Sequence, residues 1–448
     1  MKKLFGTDGI RGRANQWPIT PEMALKAGRA IARALRHARG GRSKIVIGKD
    51  TRLSGYMLET ALTSGLVAEG ATVLLVGPMP TAAVAHLTRT MDCVAGIMLT
   101  ASHNPFEDNG LKIFGADGFK LSDGLERQIE DLMLGPGLAP EEAAAIGKAI
   151  RIDDAPGRYI EFIKNAVGAF SLEGLKVVVD CANGAAYHLG PLILEELGAE
   201  VVPLSVKPDG RNINEGCGAL HPERAAAMVR ETGAHLGVAF DGDADRVIFV
   251  DETGAVVSGD RMLALCAREW KRKGRLRGDT MVATVMSNLG LHSAMEREGI
   301  RVETTPVGDR HVIERLREKN LSFGGENSGH IVFLDHATTG DGILSALQVM
   351  SVMKERGQPL SQLVSFMTDY PQRLISFKVR EKVPLDRIAP FQSALRASEA
   401  AMGADGRVLV RYSGTENKVR VLVETASADD ANRHAEALSA VLKQEIGA

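Results

Sequence analysis

The chain has 448 residues, 44% hydrophobic and 25% charged. That is the balance of a soluble globular protein long enough for about three domains of roughly 150 residues each, so disorder and collagen-like repeats are excluded. Lys and Arg number 54 against 56 Asp and Glu, a formal net charge of -2 with 4% aromatics, which leaves no global positive field for nucleic acid or an anionic membrane and no stacking platform for bases.

The N-terminus, Met1 to Asp8, turns polar too soon for a signal peptide, and no run approaches the ~20 apolar residues of a membrane helix, so a cytoplasmic protein is expected. Four scattered cysteines (Cys93, Cys181, Cys217, Cys266) without a C-x-x-C pair speak against a disulfide framework and a zinc knuckle. Phe5 to Gly12 (FGTDGIRG) carries spaced glycines, but no strand precedes them. Neither G-x-G-x-x-G nor a Walker A sequence occurs anywhere, so nicotinamide and P-loop sites lose their best signals. Arg11 in this segment is a candidate for meeting phosphoryl charge, or else a surface arginine.

A helix is predicted over Pro21 to Ala38, with Thr20 as N-cap and Pro21 at the first helical position. Short apolar strands then alternate with helical stretches, the signature of βαβ units. Ile45 to Gly48 opens into Lys49-Asp50-Thr51-Arg52, Val73 to Val76 follows, and Val94 to Leu99 opens into Thr100-Ala101-Ser102-His103. Gly135 to Ala149 suits a linker or surface helix. The order recurs with Val177 to Val179 running into Asp180 to Gly184, then Val201-Val202, then Leu236 to Phe240 running into Asp241-Gly242-Asp243. A weaker copy has Met281 to Val285 before Ser287-Asn288, a strand at Val302, and Leu321 to Phe323 leading to Gly324 to Asn327. Residues 372–448 read as strand, helix, strand, tight turn, strand, helix. The expected fold is α/β, with three similar α/β domains (1–152, 153–254 and 255–368) around a central cleft and a small C-terminal α+β domain (369–448). Polar loops past the carboxyl ends of open parallel sheets are where ligands bind.

Thr100 to Pro105 places Ser102 beyond a strand end, beside His103 and before a Pro that stops pairing, so an exposed hydroxyl is expected. No G-x-S-x-G elbow surrounds it, which leaves a serine activated by a metal, a base or prior phosphorylation, or a plain helix or turn cap. His103 is counted with it as a catalytic candidate. Asp241-Gly242-Asp243-Ala244-Asp245-Arg246 repeats a carboxylate at every second residue, which in an extended chain puts three on one face and suits a hard cation such as Mg²⁺. An EF-hand fails because Arg246 stands at the sixth position, and solvated carboxylates in a turn are the bland reading. Lys112 would approach Ser102 if its loop folds back, as an acid/base, a charge clamp or a solvated lysine. Glu326, Asn327, Ser328 and His330 interleave donors and acceptors between glycines, as sugar hydroxyls or a simple polar turn would need. Arg411 to Arg420, with Ser413, Gly414 and Thr415 between apolar strands, reads as a phosphate cradle or a hairpin with solvated charges.

Taken in this order, Phe5 to Gly12, Thr100 to Pro105, Asp241 to Arg246, Gly325 to His330 and Arg411 to Arg420 resemble the α-D-phosphohexomutase superfamily over the whole chain. Val178 to Tyr187 (VVDCANGAAY), CGALHPE from Cys217 and VGDR from Val307 are similar to its bacterial amino-sugar branch. The resemblance implies a phosphoserine at Ser102 and one Mg²⁺ held by Asp241, Asp243, Asp245 and the Ser102 phosphoryl group. Arg246 and Lys112 would then flank the transferred phosphate, Glu326, Ser328 and His330 would contact the sugar, and the Arg411 to Arg420 loop would bind the other phosphate. Glucosamine 6-phosphate and glucosamine 1-phosphate would interconvert through glucosamine 1,6-bisphosphate, as intermediate and activator, feeding UDP-N-acetylglucosamine and cell-wall precursors. Partners would be small sugar phosphates, with no nucleic acid and no membrane, and a homodimer stays open. Tyr412 and Asn417 stand where prolines are common, and Asn327 where Gln is common. A phosphomannomutase or phosphoglucomutase shares all five motifs, and a non-catalytic sugar-phosphate sensor would need only the Arg411 cradle.

Overall fold

A computed structural model describes residues 4–6, 8–35, 43–137, 139, 142–168, 170–413 and 417–448. The chain divides into two compact units: Met1–Met286 with Ile300–Val364, and Ser287–Gly299 with Ser365–Ala448.

The first unit holds three sheets. In the first, β1 (Ile10–Arg13), β2 (Lys44–Lys49), β3 (Thr72–Pro78), β4 (Ala95–Leu99), β5 (Asp108–Gly115) and β6 (Lys148–Arg151) lie in the order β1-β5-β4-β2-β3-β6. β2, β3, β4 and β6 are parallel, and β5 and β1 close one edge antiparallel. Ile45, Val46 and Ile47 are all fully buried, as expected for a parallel strand covered on both faces. Helices α1 (Pro21–Leu35), α2 (Ser54–Ala68), α3 (Thr81–Thr90) and α4 (Asp123–Leu134) join the strands. α1 and α2 cross at Gly28 and Gly65, where a Cβ would stand 2.4 Å from Leu62 O and 2.1 Å from Leu25 O. Thr20 Oγ1 accepts Met23 N–H at 3.3 Å and caps α1 as expected. Of the stretch read as a linker or surface helix, Lys148 and Ala149 instead begin β6, which pairs with β3 and extends the sheet, while 138, 140 and 141 lie outside the described residues.

After α5 (Ala155–Val167), the second sheet runs β7 (Lys176–Asp180), α6 (Leu189–Glu196), β8 (Glu200–Leu204), α7 (Glu223–Thr232), β9 (Leu236–Phe240), β10 (Val247–Val250) and β11 (Val256–Val257). Its order is β11-β10-β9-β7-β8. Following α8 (Gly259–Arg272), the third sheet contains β12 (Thr280–Thr284), β13 (Arg301–Thr305), β14 (Phe323–Gly325) and β15 (Ile331–Phe333) in the order β13-β12-β14-β15. α10 (Asp309–Glu318), α11 (Gly342–Arg356) and α12 (Leu360–Val364) complete it. In each sheet a central strand releases a polar loop: β4 at Thr100, β9 at Asp241 and β14 at Glu326.

Helix α9 (Leu289–Arg297) follows β12 in sequence but belongs to the second unit. Asn288 Oδ1 accepts Gly290 N–H at 2.8 Å as its cap and Tyr370 N–H at 2.9 Å, and buried Glu424 accepts Leu289 N–H at 3.1 Å. Asn288 therefore anchors a helix rather than belonging to a third strand-end loop. The rest of this unit is an antiparallel sheet, β16-β18-β17, of β16 (Gln372–Lys378), β17 (Gly406–Tyr412) and β18 (Lys418–Thr425), with α13 (Ala389–Met402) and α14 (Ala428–Ile446). Val419, Val421 and Val423 alternate along β18 into a core shared with Leu438 and Leu442. Among the described residues no helix is long and apolar enough to cross a membrane.

Candidate active site

Where β4 ends, the chain turns at Ser102 with φ +53°, a left-handed conformation rare outside glycine. The turn aims the side chain inward: Ser102 is fully buried, and its Oγ donates to Asp241 Oδ2 at 2.6 Å with His103 Nδ1 at 3.4 Å. The exposed hydroxyl expected from sequence is thus corrected, because the loop after β9 covers it. That close approach requires Gly242, where a Cβ would lie 2.5 Å from Ser102 O.

Residues 241–246 form a turn with Ala244 at φ +56°, not the extended segment that alternate spacing suggested. The convergence holds all the same. One carboxylate oxygen from each of Asp241, Asp243 and Asp245 falls within 4.8 Å of the others, and all three residues are buried. Burial, with Asp245 and Asp243 beside it, pushes the Asp241 carboxyl well above its ordinary range. Asp243 Oδ1 and Asp245 Oδ1 are buried without a hydrogen bond. Buried carboxylate oxygens that lack a hydrogen bond and converge in this way fit a hard divalent cation.

On β5, paired antiparallel with β4, Lys112 Nζ lies 2.7 Å from Asp243 Oδ2 and 2.8 Å from Asp245 Oδ2, with Asp8 Oδ2 at 3.4 Å. Burial works against its charge, but Asp243, Asp245 and Asp8 hold the ammonium well above its usual pKa. That direction favours the charged ammonium. Arg11, on edge strand β1, pairs with Asp8. Arg246 N–H donates to Asp241 Oδ1 at 3.1 Å, and its Nη1 stands 3.1 Å from His103 Nδ1. Burial, then Arg246 and Arg11, pushes His103 down to about 4, leaving a neutral imidazole near pH 7.

At the end of β14, Glu326 Oε1 accepts Gly308 N–H at 3.0 Å at the start of α10, and Asn327 Nδ2 donates to Met286 O at 3.3 Å. Ser328 Oγ is buried with no hydrogen bond. His330 is drawn toward the aspartate turn: its Nε2 accepts Gly340 N–H at 3.1 Å, and its Nδ1 is 3.7 Å from Asp245 Oδ1.

In the second unit, Arg411 on β17 lies directly opposite Arg420 on β18. Burial and Arg420 depress the pKa of Arg411, as two like charges facing across a strand pair require. An anion between them would relieve that repulsion. Ser413 N–H donates to Lys418 O at 2.8 Å, and Lys382 Nζ donates to Ser413 O at 2.7 Å. Tyr412, standing where a Pro is common, donates from Oη to Val383 O at 2.5 Å. Gly414 and Thr415 lie outside the described residues.

Sequence reasoning missed several groups that the structure adds. Lys120 Nζ bridges Asp8 and Asp309, and a buried Asp50–Arg52 pair stands behind Ser102. Asp50 and Arg52 were visible as polar residues past β2, but nothing local marked them as buried.

Family models described as phosphoglucomutase/phosphomannomutase match the chain in sequence: α/β/α domain I over 2–136, domain II over 157–254, domain III over 258–370 and the C-terminal domain over 374–441. The phosphoglucosamine mutase of Anaeromyxobacter dehalogenans is 54% identical, with 100% of each chain covered. Those of Syntrophotalea carbinolica and Geobacter sp. strain M21 are each 50% identical, with 100% of this chain and 98% or 99% of theirs covered. Among solved structures, a phosphoglucomutase/phosphomannomutase family protein of Burkholderia thailandensis superposes with a TM-score of 0.81 at 26% identity, covering 99% of this chain and 97% of that one. The N-acetylphosphoglucosamine mutase of Aspergillus fumigatus, solved with GlcNAc-6P and magnesium, shares the fold at 18% identity and a TM-score of 0.67, covering 98% and 95%.

Proposed function

Because the chain belongs to the phosphoglucomutase/phosphomannomutase family, in company with its phosphoglucosamine mutases, we propose that this isomerase interconverts glucosamine 6-phosphate and glucosamine 1-phosphate. The reaction would run through a phosphoserine at Ser102 and a 1,6-bisphosphate, in the cytoplasm. We assign the four segments 1–152, 153–254, 255–368 and 369–448 the phosphoserine, the metal, the sugar and the resting phosphate, in that order.

The observation that carries this reading is the 2.6 Å approach of Ser102 Oγ to Asp241, beside two further buried carboxylates that each have an oxygen without a hydrogen bond. Asp241, Asp243, Asp245 and a phosphoryl oxygen on Ser102 would hold Mg²⁺, which when bound offsets the negative charge of the transferring group. In the forward half-reaction the P–Oγ bond of phosphoserine breaks as a bond forms from phosphorus to the free sugar hydroxyl. The proton given up by the sugar hydroxyl balances the one gained by Ser102 Oγ, so the half-reaction has no net proton change. Lys112, held protonated, supplies positive charge and a donor on that side, with Arg246 and Arg11 completing the cationic wall. Neutral His103 keeps a nitrogen 3.4 Å from Oγ without adding a like charge to the guanidinium beside it. The bisphosphate then reorients and returns its other phosphate to Ser102. Glu326, Asn327, Ser328 and His330 are assigned to the sugar, and Arg411, Ser413, Gly414, Thr415 and Arg420 to the phosphate at rest.

An ammonium at the sugar 2-position can donate to both the Glu326 carboxylate and the Asn327 amide oxygen. One charge-assisted bond is worth ~1.5 to 3 kcal/mol, so kcat/KM for glucosamine 6-phosphate should exceed that for glucose 6-phosphate by about tenfold or more. Equal or better turnover of glucose or mannose phosphates would move the chain to the phosphoglucomutase or phosphomannomutase reading.

A further inference from the structure

Arg52 is fully buried, and its whole guanidinium is spent on one loop. Nη2 donates to Ser102 O at 3.0 Å and to Asn104 O at 2.7 Å, while Nη1 donates to Asp108 O at 2.9 Å and to Pro105 O. Its charge is matched by Asp50, which accepts Arg52 Nε at 2.8 Å and Arg52 N–H at 3.0 Å. The same Asp50 Oδ2 accepts Thr100 Oγ1 at 2.7 Å, and Thr100 Oγ1 in turn accepts Ser102 N–H at 2.9 Å. Both backbone polar groups of Ser102 are thus tied to one buried ion pair, the carbonyl directly and the amide through one hydroxyl. From the second sheet's side, Asn214 Nδ2 donates to Ser102 O at 2.9 Å and to Asn104 O at 3.0 Å, duplicating two of the arginine's bonds.

A buried arginine is expensive to desolvate, and a loop of this length could be anchored by neutral groups. What a guanidinium adds is a rigid planar fork that fixes several carbonyls at once, which a lysine cannot match. The geometry of Ser102 is what needs fixing, since a non-glycine residue at φ +53° holds a sparsely populated conformation only when its surroundings determine it.

We infer that Arg52, paired with Asp50 and seconded by Asn214, is the positioning device that holds Ser102 in its left-handed conformation with Oγ aimed at Asp241. The inference rests on the reading of Ser102 as the phosphoryl carrier. Neither Arg52 nor Asn214 need touch the sugar, so the clamp acts on the transfer step and not on substrate affinity.

The test compares Arg52→Lys, Asn214→Ala and, as a structural control, Glu69→Gln, which disturbs the buried carboxylate bonded by Arg29 and Arg33 at the C-terminal end of α2. Each is measured as Mg²⁺-loaded full chain for Tm, KM, kcat and the single-turnover rate at which glucosamine 6-phosphate removes phosphoryl from the protein. Misplacing a reacting group by about 1 Å can reduce rate by about a hundredfold, so Arg52→Lys should lower kcat and the transfer rate by at least about tenfold with KM nearly unchanged. Asn214→Ala should move the same two quantities in the same direction, and Glu69→Gln should lower Tm alone. If kcat in Arg52→Lys and Asn214→Ala stays near wild type, or falls only as Tm falls in the control, the positioning role is overturned. Should Arg52→Lys fail to fold, Asn214→Ala decides by the same criteria. A dead Ser102→Ala beside a fully active Arg52→Lys refutes the clamp alone, whereas an active Ser102→Ala refutes the carrier reading and the clamp with it.

Discussion

Ser102 Oγ donates to Asp241 Oδ2 at 2.6 Å, and the Asp241 carboxyl is pushed up by its own burial and by Asp245 and Asp243. A carboxylate cluster under that repulsion should gain stability from a divalent cation by mass action, by about 2.7 kcal/mol at a hundredfold excess over Kd. Mg²⁺ should therefore raise the Tm of the wild-type chain. Asp243→Asn should blunt that rise and lower turnover together, and excess chelator should stop turnover reversibly. Thermal melts with and without Mg²⁺ check this.

Lys112 is buried against Asp243, Asp245 and Asp8. Removing one partner of a buried ion pair leaves uncompensated charge and destabilises by about 3 to 5 kcal/mol, so Lys112→Met should lower stability by that order in denaturant titrations. Turnover should fall as well, and added Mg²⁺ should recover part of the lost stability because it meets the same carboxylates.

Arg420 faces Arg411 across β17 and β18. Loss of one hydrogen bond to a charged group costs ~1.5 to 3 kcal/mol, so Arg420→Ala should raise KM for the sugar phosphate by roughly ten- to a hundredfold. Relief of the like-charge pair should leave Tm without substrate equal or higher. Phosphoserine content should stay intact, and a normal KM with lost phosphoserine would assign the loop the wrong role.

The His86 ring stacks on Phe162 with centroids 3.9 Å apart, and burial, then Arg89, depresses its pKa to about 4. Between its unfolded value near 6.5 and about 4, the unfolded chain binds the proton that the folded chain refuses. Stability should thus fall as pH drops through that window and level off below it. His103 contributes in the same sense, and Asp341, raised by burial to about 6, in the opposite sense. The check is a difference: His86→Phe should flatten the stability slope between pH 6.5 and 4.

The motifs legible in the sequence are those whose chemistry is local. Asp241, Asp243 and Asp245 converge because they sit within one turn, and Arg411 meets Arg420 because a hairpin joins them. The alternation of strands and helices, with polar residues past β2, β4, β9 and β14, likewise follows from short-range periodicity. What stayed hidden depends on long-range closure. Ser102 reads as exposed until Asp241, 139 residues away, closes over it. Lys120 joins Asp8 and Asp309 across 112 and 189 residues, and no local pattern announces such a bridge. Arg52 reads only as one of several polar residues past a strand end, and only packing shows which carbonyls surround it. Helix α9 follows β12 and looks like its crossover, yet Glu424 and Tyr370 tie it to the C-terminal unit.

The most direct test of the central claim is intact-protein and peptide mass spectrometry of the purified chain before and after one equivalent of glucosamine 6-phosphate. The expected result is a species heavier by one phosphoryl group, localised to Ser102, which falls transiently as glucosamine bisphosphate forms in equal amount and returns as glucosamine 1-phosphate appears. Ser102→Ala should carry none and turn over almost nothing. Phosphate absent from Ser102 in an active preparation, or an alanine variant with most of its activity, would contradict the account.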